Sequence, residues 1–364
     1  MELASMPMES LVEMIKAYRN KKVFITGHTG FKGCWLTHAL EFLGAKVYGY
    51  SLEPHTTPSH FNLMDSKSDS TIGDICDLES LQTALIASEA EIVFHLAAQS
   101  LVRESYRNAV KTYQVNVIGT LNVLEAIKNC SSVKSVIVVT TDKVYENKEW
   151  EYPYRETDEL GGYDLYSSSK ACTEILANSY NRSFFKNTDR NVLLATARAG
   201  NVIGGGDWNA DRLIPDIARA ASNDENVIIR NLFSIRPWQH VLDCLNGYLQ
   251  LGAKLMEGNT AFTGAWNFAP YAHDTKTVGE VLEVSKKSWN KVHTDVATAG
   301  DHMHESSVLK LDNSKAVEKL CWKPIWKTDV AIEKTMEWYK AYYEQENVIT
   351  KDQIKEFFNA YGIY

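Results

Sequence analysis

The stretch from Val23 to Gly33, VFITGHTGFKG, constrains this chain more than any other part of it. A short run of β-branched and aromatic residues ends in Gly27, Gly30 and Gly33, and an apolar-periodic segment follows over residues 32–43. Glycines at a strand-to-helix turn let the backbone turn tightly and approach a ligand closely. The helix that opens there points unpaired N–H groups and the positive end of its dipole at a pyrophosphate. An isolated glycine turn would demand nothing of the residues after it, but here an alternation follows. Lys46–Tyr50, Ile92–Leu96, Val136–Val139 and Val192–Ala197 read as strands, and Leu78, Leu81 and Leu85 mark one helix between them. Strands separated by helices pair in parallel through right-handed crossovers. The expected fold is therefore α/β: a Rossmann-type doubly wound parallel sheet with a smaller mixed α/β substrate domain.

Residues 1–20 read as an amphipathic lead-in, because Glu2, Glu9 and Glu13 fall where a signal peptide needs an apolar run. Residues 21–200 are expected to form the dinucleotide-binding domain. The rhythm breaks after Gly200 in GNVIGGGDWNADRLIP, which suits a loop over a site. Residues 201–364 are expected to be mainly the substrate domain, with segments of 230–260 returning to the sheet. Helices are anticipated at 240–256, 277–289 and 329–345, and a short strand at Val227–Ile229. With 46 acidic against 38 basic residues the net charge is -8, which argues against nucleic acid or an anionic membrane as partner. No run approaches the roughly 18 apolar residues of a membrane span. Cys34, Cys76, Cys130, Cys172, Cys244 and Cys321 form no C-x-x-C pair, which favours reduced thiols in a cytoplasm. His302 and His304-Glu305 tempt a metal assignment, but no third ligand is spaced to complete a site, so no metal is expected.

Tyr166-Ser-Ser-Ser-Lys170 opens a predicted helix, and a spacing of four puts both side chains on one face. A phenol with a pKa near 10 is a poor base at neutral pH. A lysine ammonium and an oxidised nicotinamide beside it both favour the phenolate, so the pair suits redox chemistry better than a surface role. Thr140-Thr141 end the preceding strand. No arginine follows the second strand to accept a 2′-phosphate, which favours NAD over NADP, although Glu53 lies far along to grip the adenosine ribose. Asp74-Ile75 lie either at the adenine edge or, for Asp74, at a helix start.

GHTGFKG, HLAAQ (95–99), TTDKVY (140–145) and YSSSK (166–170) together make the chain resemble the extended short-chain dehydrogenase/reductases over residues 21–340. RAGNVIGGGDW (198–208), RPWQHV (236–241) and the stretch from His304 to Asp312 make it similar, within that family, to the CDP-glucose 4,6-dehydratases. The resemblance implies a nucleotide sugar, CDP-glucose, as substrate and NAD as a retained cofactor in deoxysugar biosynthesis. It implies that Tyr166 takes the 4-hydroxyl proton, that Thr141 bonds the same oxygen and that Lys170 holds the cofactor ribose. Asp142 and Lys143 become the candidates for acid and base in the elimination; Lys143 is either the C5 base or an electrostatic aid, and the alternative is a turn ion pair. The cofactor cradle implied is Gly27, Thr29, Gly30, Phe31, Lys32, Gly33, Asp74, Ile75, Leu96, Ala97, Ala98, Asn116 and Thr140, with Tyr166 and Lys170. Gln99, Arg103, Asn201, Arg212 and Arg236 are implied on the substrate side with Thr141, and Trp208 or Trp238 either stacks on the base or packs in a core. The family's dimers pair the helices after the fourth and fifth strands, here 105–129 and 163–185, so a homodimer or a dimer of dimers is implied.

Two other functions share much of this pattern. A nucleotide-sugar 4-epimerase needs Thr141, Tyr166 and Lys170 but no acid and base for elimination, and Asp142-Lys143 count against it. A catalytically silent dinucleotide-binding protein needs neither Tyr166 nor Lys170.

Overall fold

The computed structural model describes residues 16–186, 191–229, 231–296 and 308–360. Seven strands form one sheet: β1 (Lys22–Thr26), β2 (Lys46–Ser51), β3 (Asp69–Ile72), β4 (Ile92–His95), β5 (Ser135–Val139), β6 (Leu193–Ala199) and β7 (Gly264–Phe268). Their order is β7-β6-β5-β4-β1-β2-β3 and every pairing is parallel. The order reverses between β1 and β4, which opens a crevice at their carboxyl ends.

The strand sequences explain the two-faced burial. Val23 and Ile25 of β1, Ile92 and Phe94 of β4, and Ile137 and Val139 of β5 enter one core. Phe24, Val93, Val136 and Val138 enter a second core on the other face. Alternate residues of a strand point to opposite faces, so a continuous apolar run is what a sheet covered on both sides requires. The exposed polar strand β3 (DSTI) lies at the sheet edge, where such a run is not needed.

Helices α1 (Phe31–Phe42) and α6 (Val241–Met256) supply the first core, and α2 (Leu78–Ser88) and α3 (Gly119–Asn129) the second. Helix α4 (Leu165–Tyr180) begins at the Asp164 cap, whose carboxylate accepts from Ser167 N at 2.9 Å. The chain after β6 continues through α5 (Leu213–Ser222), α7 (Val278–Ser288), α8 (Thr328–Gln345) and α9 (Thr350–Asn359). Three two-stranded ladders join Val202–Ile203 to Gln239–His240, Asn226–Ile229 to His293–Val296, and Ile235–Arg236 to Lys276–Thr277. Helix α6 and strand β7 bring residues 241–268 onto the sheet.

Two elements differ from the sequence expectation. The helix anticipated over 105–129 is broken into Val102–Arg107, Ala109–Tyr113, a widened π-helical turn at Gln114–Ile118, and α3. Asn108 leaves helical geometry at φ -132° and ψ 64°, and the widened turn directs Asn116 inward, a use typical of such bulges near sites. Helix α9 has no counterpart in the sequence reading. It is polar on one side and buries Ile354, Phe357 and Phe358, with Phe358 stacked on Phe42 of α1 at 5.5 Å.

No described helix is long and apolar enough to cross a membrane. The two C-terminal helices are tied together at Trp338, which is fully buried and donates to Thr350 Oγ1 at 2.9 Å. Trp338→Ala is expected to cost about 3–5 kcal/mol of stability. Urea unfolding should show a lower midpoint and an unchanged slope.

Candidate active site

The turn after β1 is built on two glycines that admit no side chain. Gly27 has φ +80°, and a Cβ there would lie 2.7 Å from Ala97 N. A Cβ on Gly33 would lie 2.0 Å from the Gly27 carbonyl oxygen. Gly30 is the N-cap of α1 and makes no side-chain cap, so nothing of its own covers the first N–H groups of the helix. Thr29 fastens the turn to the end of β2, with its hydroxyl 2.8 Å from Ser51 Oγ and donating to the Leu52 carbonyl at 2.9 Å. Phe31 and Lys32 begin α1. Leu96 N donates to Thr26 O at 3.0 Å and Ala97 N to Thr26 Oγ1 at 3.3 Å, so Leu96, Ala97 and then Ala98 run along the other lip of the crevice. A backbone-lined cradle at a helix N-terminus and a sheet switch point fits a dinucleotide.

Asp74 and Ile75 follow β3. Asp74 accepts from Cys76 N at 2.9 Å, and the cap of α2 is Asp77, which accepts from Ser80 N at 3.1 Å. The helix-start role considered for Asp74 thus belongs to Asp77. Ile75 is buried against Gly119.

The catalytic candidates meet where β5 ends beside α4. Asp142–Val144 form a short 3-10 turn capped by Thr141, whose hydroxyl donates to Asp142 Oδ1 at 2.9 Å. Thr141 also acts on Tyr166, holding its phenol lower than burial alone would. Lys170, one turn beyond Tyr166, is buried and its ammonium donates to the Val139 carbonyl at 2.9 Å. Burial lowers Lys170 to about 8, opposed by Glu174 and reinforced by Lys32. Burial also pushes the half-buried Tyr166 phenol up to about 12, with the Thr141 hydrogen bond pulling it down and Asp142 pushing it up. The Lys170 ammonium is bound to a carbonyl, and desolvation is the largest influence on the phenol.

Asp142 is the most telling group. It is 3% exposed, and its Oδ2 has no hydrogen-bond partner. Burial raises its pKa, against the charges of Lys143, Arg236 and Lys32 and the Thr141 hydrogen bond. Lys143, next in the 3-10 turn, supplies the leading charge that acts on Asp142. A buried carboxyl biased toward its protonated form, with one oxygen free, is equipped to give up a proton.

The loops around this pocket divide into those that face it and those that build it. Asn116 is fully buried and structural: its amide accepts from Gln99 N at 2.8 Å and donates to Gln99 O at 3.0 Å and to Ser169 Oγ at 2.9 Å. It thereby ties the HLAAQ loop to α4. The Gln99 side chain is engaged with Leu101 and Thr112, so it shapes its own loop rather than standing ready for a sugar. Arg103 pairs with Asp211 at 2.6 Å. Arg212, the residue before α5, pairs with Asp207 at 2.6 Å, reaches Ser100 Oγ at 3.3 Å and acts on Tyr166 electrostatically. Arg236 acts on Asp142 in the same way and donates to the Ile235 carbonyl. Asn201 offers its carbonyl to Gln239 N at 3.1 Å.

Trp208 and Trp238 are 6% and 5% exposed. Trp208 donates to Tyr343 and packs on Trp338 and Tyr342, and Trp238 donates to Lys276 O, so both are core residues and not base-stacking platforms. His302, His304 and Glu305 lie outside the described residues. Among the described residues no group of three or more His, Cys, Asp or Glu is disposed to hold a metal.

Residues 24–335 match the family model described as GDP-mannose 4,6 dehydratase. The chain is 43% identical over 350 residues to the CDP-glucose 4,6-dehydratase of Salmonella typhimurium, covering 94% of this chain and 98% of that one. The chain belongs to this nucleotide-sugar 4,6-dehydratase family. A further member, the dTDP-glucose 4,6-dehydratase of Shigella flexneri, is 26% identical over 348 residues, covering 88% of this chain and 93% of its own. Two solved structures share the fold. The epimerase Mth375 of Methanothermobacter thermautotrophicus has a TM-score of 0.81 at 22% identity, covering 96% of this chain and 98% of that one. The dTDP-glucose 4,6-dehydratase of Bacillus anthracis, solved with NAD, has a TM-score of 0.72 at 21% identity, covering 89% and 98%.

For a 4,6-dehydratase, the sequence reading missed the buried groups behind the reacting ones: Glu174, Arg198 and Asp207. Glu174 had one available signal, since it repeats on α4 the four-residue spacing that joins Tyr166 to Lys170. Gly33→Ala is expected to weaken dinucleotide binding on the order of 100-fold, because the added methyl would push the Gly27 carbonyl and the α1 N-terminus apart. Isothermal titration with NAD checks this.

Proposed function

We propose that this protein converts CDP-glucose to CDP-4-keto-6-deoxyglucose with NAD as a resident cofactor. The observation that carries this reading over epimerisation is Asp142, a buried carboxyl with one free oxygen beside the Thr141–Tyr166 contact. The cytosine preference is supported by the 43% identity to the Salmonella typhimurium enzyme.

Gly27, Gly30 and Gly33 would hold the pyrophosphate of the cofactor, with Lys170 at its ribose. NAD bound there supplies a hydride acceptor for C4, a hydride donor for C6 and a positive charge near Tyr166. Tyr166 takes the proton of the 4-hydroxyl, and Thr141 keeps that oxygen in line. Once C4 is a ketone, the C5 proton is acidic. Lys143, half-buried beside Asp142, is placed to remove it, and a lysine base must be neutral to do so. Asp142 gives its proton to the C6 hydroxyl, which leaves as water. Lys143 returns its proton to C5 when C6 is reduced. Arg212 and Arg236 form the diphosphate clamp, supported by their electrostatic reach to Tyr166 and Asp142.

In this reading the sheet and its helices, with residues 241–268, are the cofactor domain, and most of the chain after 201 serves the substrate. Six free cysteines support a reducing compartment, the cytoplasm, and the product class suits deoxysugar supply for surface polysaccharides such as O-antigen. Val110, Ile118, Ile175 and Phe184 are exposed apolar residues of the helical segments after β4 and β5, at 71%, 48%, 59% and 43%. They support a homodimer through those segments.

Three outcomes test these assignments. Purified protein with CDP-glucose should form a 4-keto sugar nucleotide, whereas a galacto-configured product would mean an epimerase. Tyr166→Phe should retain NAD and lose C4 oxidation by about 100-fold or more, seen as loss of the nicotinamide absorbance change in a single turnover. Asp142→Asn should still oxidise C4 but lose dehydration by about 100-fold, measured as formation of the 4-keto-6-deoxy product. For the dimer, Ile175→Glu should halve the mass seen by sedimentation equilibrium.

A further inference from the structure

Both carboxylate oxygens of Glu174 are fully engaged. Oε1 accepts from the Thr140 hydroxyl and from Arg198 Nε at 3.0 Å. Oε2 accepts from Thr196 Oγ1 at 2.6 Å and from Arg198 Nη2 at 2.9 Å. The two charged side chains are each 3% exposed. Arg198 Nη1 donates onward to the Tyr145 hydroxyl at 2.8 Å and to Glu156 O at 3.3 Å, and its guanidinium lies 4.9 Å from the Tyr145 ring centroid. The Tyr145 hydroxyl in turn donates to Asn267 Oδ1 at 2.7 Å.

Thr140 and Tyr145 are the first and last residues of the 140–145 segment, and between them lie Thr141, Asp142 and Lys143. One ion pair, carried on α4 and β6, therefore holds both ends of the segment that carries the acid and the base. It also joins that segment to the helix that carries Tyr166 and Lys170, two turns and one turn before Glu174. A buried ion pair is a poor way to gain stability, since an apolar pair of similar volume serves as well or better. What the pair supplies is direction: its planar, bidentate geometry allows one arrangement of the groups it binds.

We propose that Glu174, through Arg198, is a positioning residue for the dehydration, clamping the 140–145 turn at both ends in register with Tyr166. This rests on the dehydratase reading for its kinetic consequence but not for its structural one. Glu174→Gln should lower kcat on CDP-glucose about 100-fold while KM stays within about threefold, the signature of misplaced reacting groups rather than lost binding. The double variant Glu174→Met with Arg198→Met should recover the thermal midpoint that Glu174→Gln loses, yet not its kcat. Wild-type kcat in a stable double variant would overturn the proposal. If either variant fails to fold, Tyr145→Phe removes a single hydroxyl from the clamp. It should fold with a somewhat lower melting midpoint and lower kcat about tenfold, and an unchanged kcat again overturns the proposal. Hydrogen exchange on the whole chain needs no substrate. In Glu174→Gln, or in Tyr145→Phe if that must stand in, amides of residues 140–146 should exchange about tenfold faster while those of β1 keep their protection. Unchanged protection of 140–146 refutes the clamp. Wild-type protein that leaves CDP-glucose untouched refutes the substrate assignment instead, and the exchange result still decides the clamp.

Discussion

The hydrogen-bonded pair of Glu174 and Arg198 is the interaction on which the active-site geometry depends. It sits where α4, β5 and β6 meet, away from solvent, and its hydrogen bonds reach Thr140, Thr196 and Tyr145. Remove it and the sheet would still pair and the cores would still fill. The turn after β5 would then lose its side-chain ties to α4 at Thr140 and to β6 at Tyr145. A second buried polar group does the same on the other side of the pocket: Asn116, set inward by the widened turn, ties the loop after β4 to Ser169 of α4. Helix α4 is thus held from both flanks by side-chain hydrogen bonds.

The electrostatics of the pocket run against those of the whole chain. A protein of net charge -8 gathers Lys32, Lys143, Lys170, Arg212 and Arg236 around one crevice. Screening in water hides the acidic surface from a bound anion within a few residues' distance, whereas the low-polarity pocket transmits the local cations strongly. Burial explains two shifts of opposite sense, lowering Lys170 to about 8 and raising Asp142; the neighbouring positive charge adds to the first and opposes the second.

Much of the fold was legible in residues 21–200. The apolar runs of β1, β4 and β5 are continuous because both faces are covered, and the glycines of the first turn are required by contacts of 2.0 and 2.7 Å that any Cβ would make. The segments that read poorly lack such a pattern. Helix α9 is short with three buried apolar residues, and the helix after β4 is broken by geometry at Asn108 that composition does not reveal. On the site, Tyr166 and Lys170 could be named because chemistry restricts the residue types at that spacing, and Thr141 and Asp142 because of the family resemblance. Gln99 was read as facing a ligand and the two tryptophans as either stacking on a base or packing in a core; the partners of all three are other parts of the chain.

The sequence by itself determined the alternation of strands and helices, the glycine turn, and which residue types stand ready for proton and hydride transfer, since these follow from local periodicity and local chemistry. Tertiary structure alone decided how those groups are charged and aimed. Lys170 binds a carbonyl, the phenol of Tyr166 is raised, Asp142 keeps one oxygen free, and Glu174 reaches Arg198 across 24 positions of chain. Burial and long-range hydrogen bonds set those properties, and neither exists until distant segments pack together.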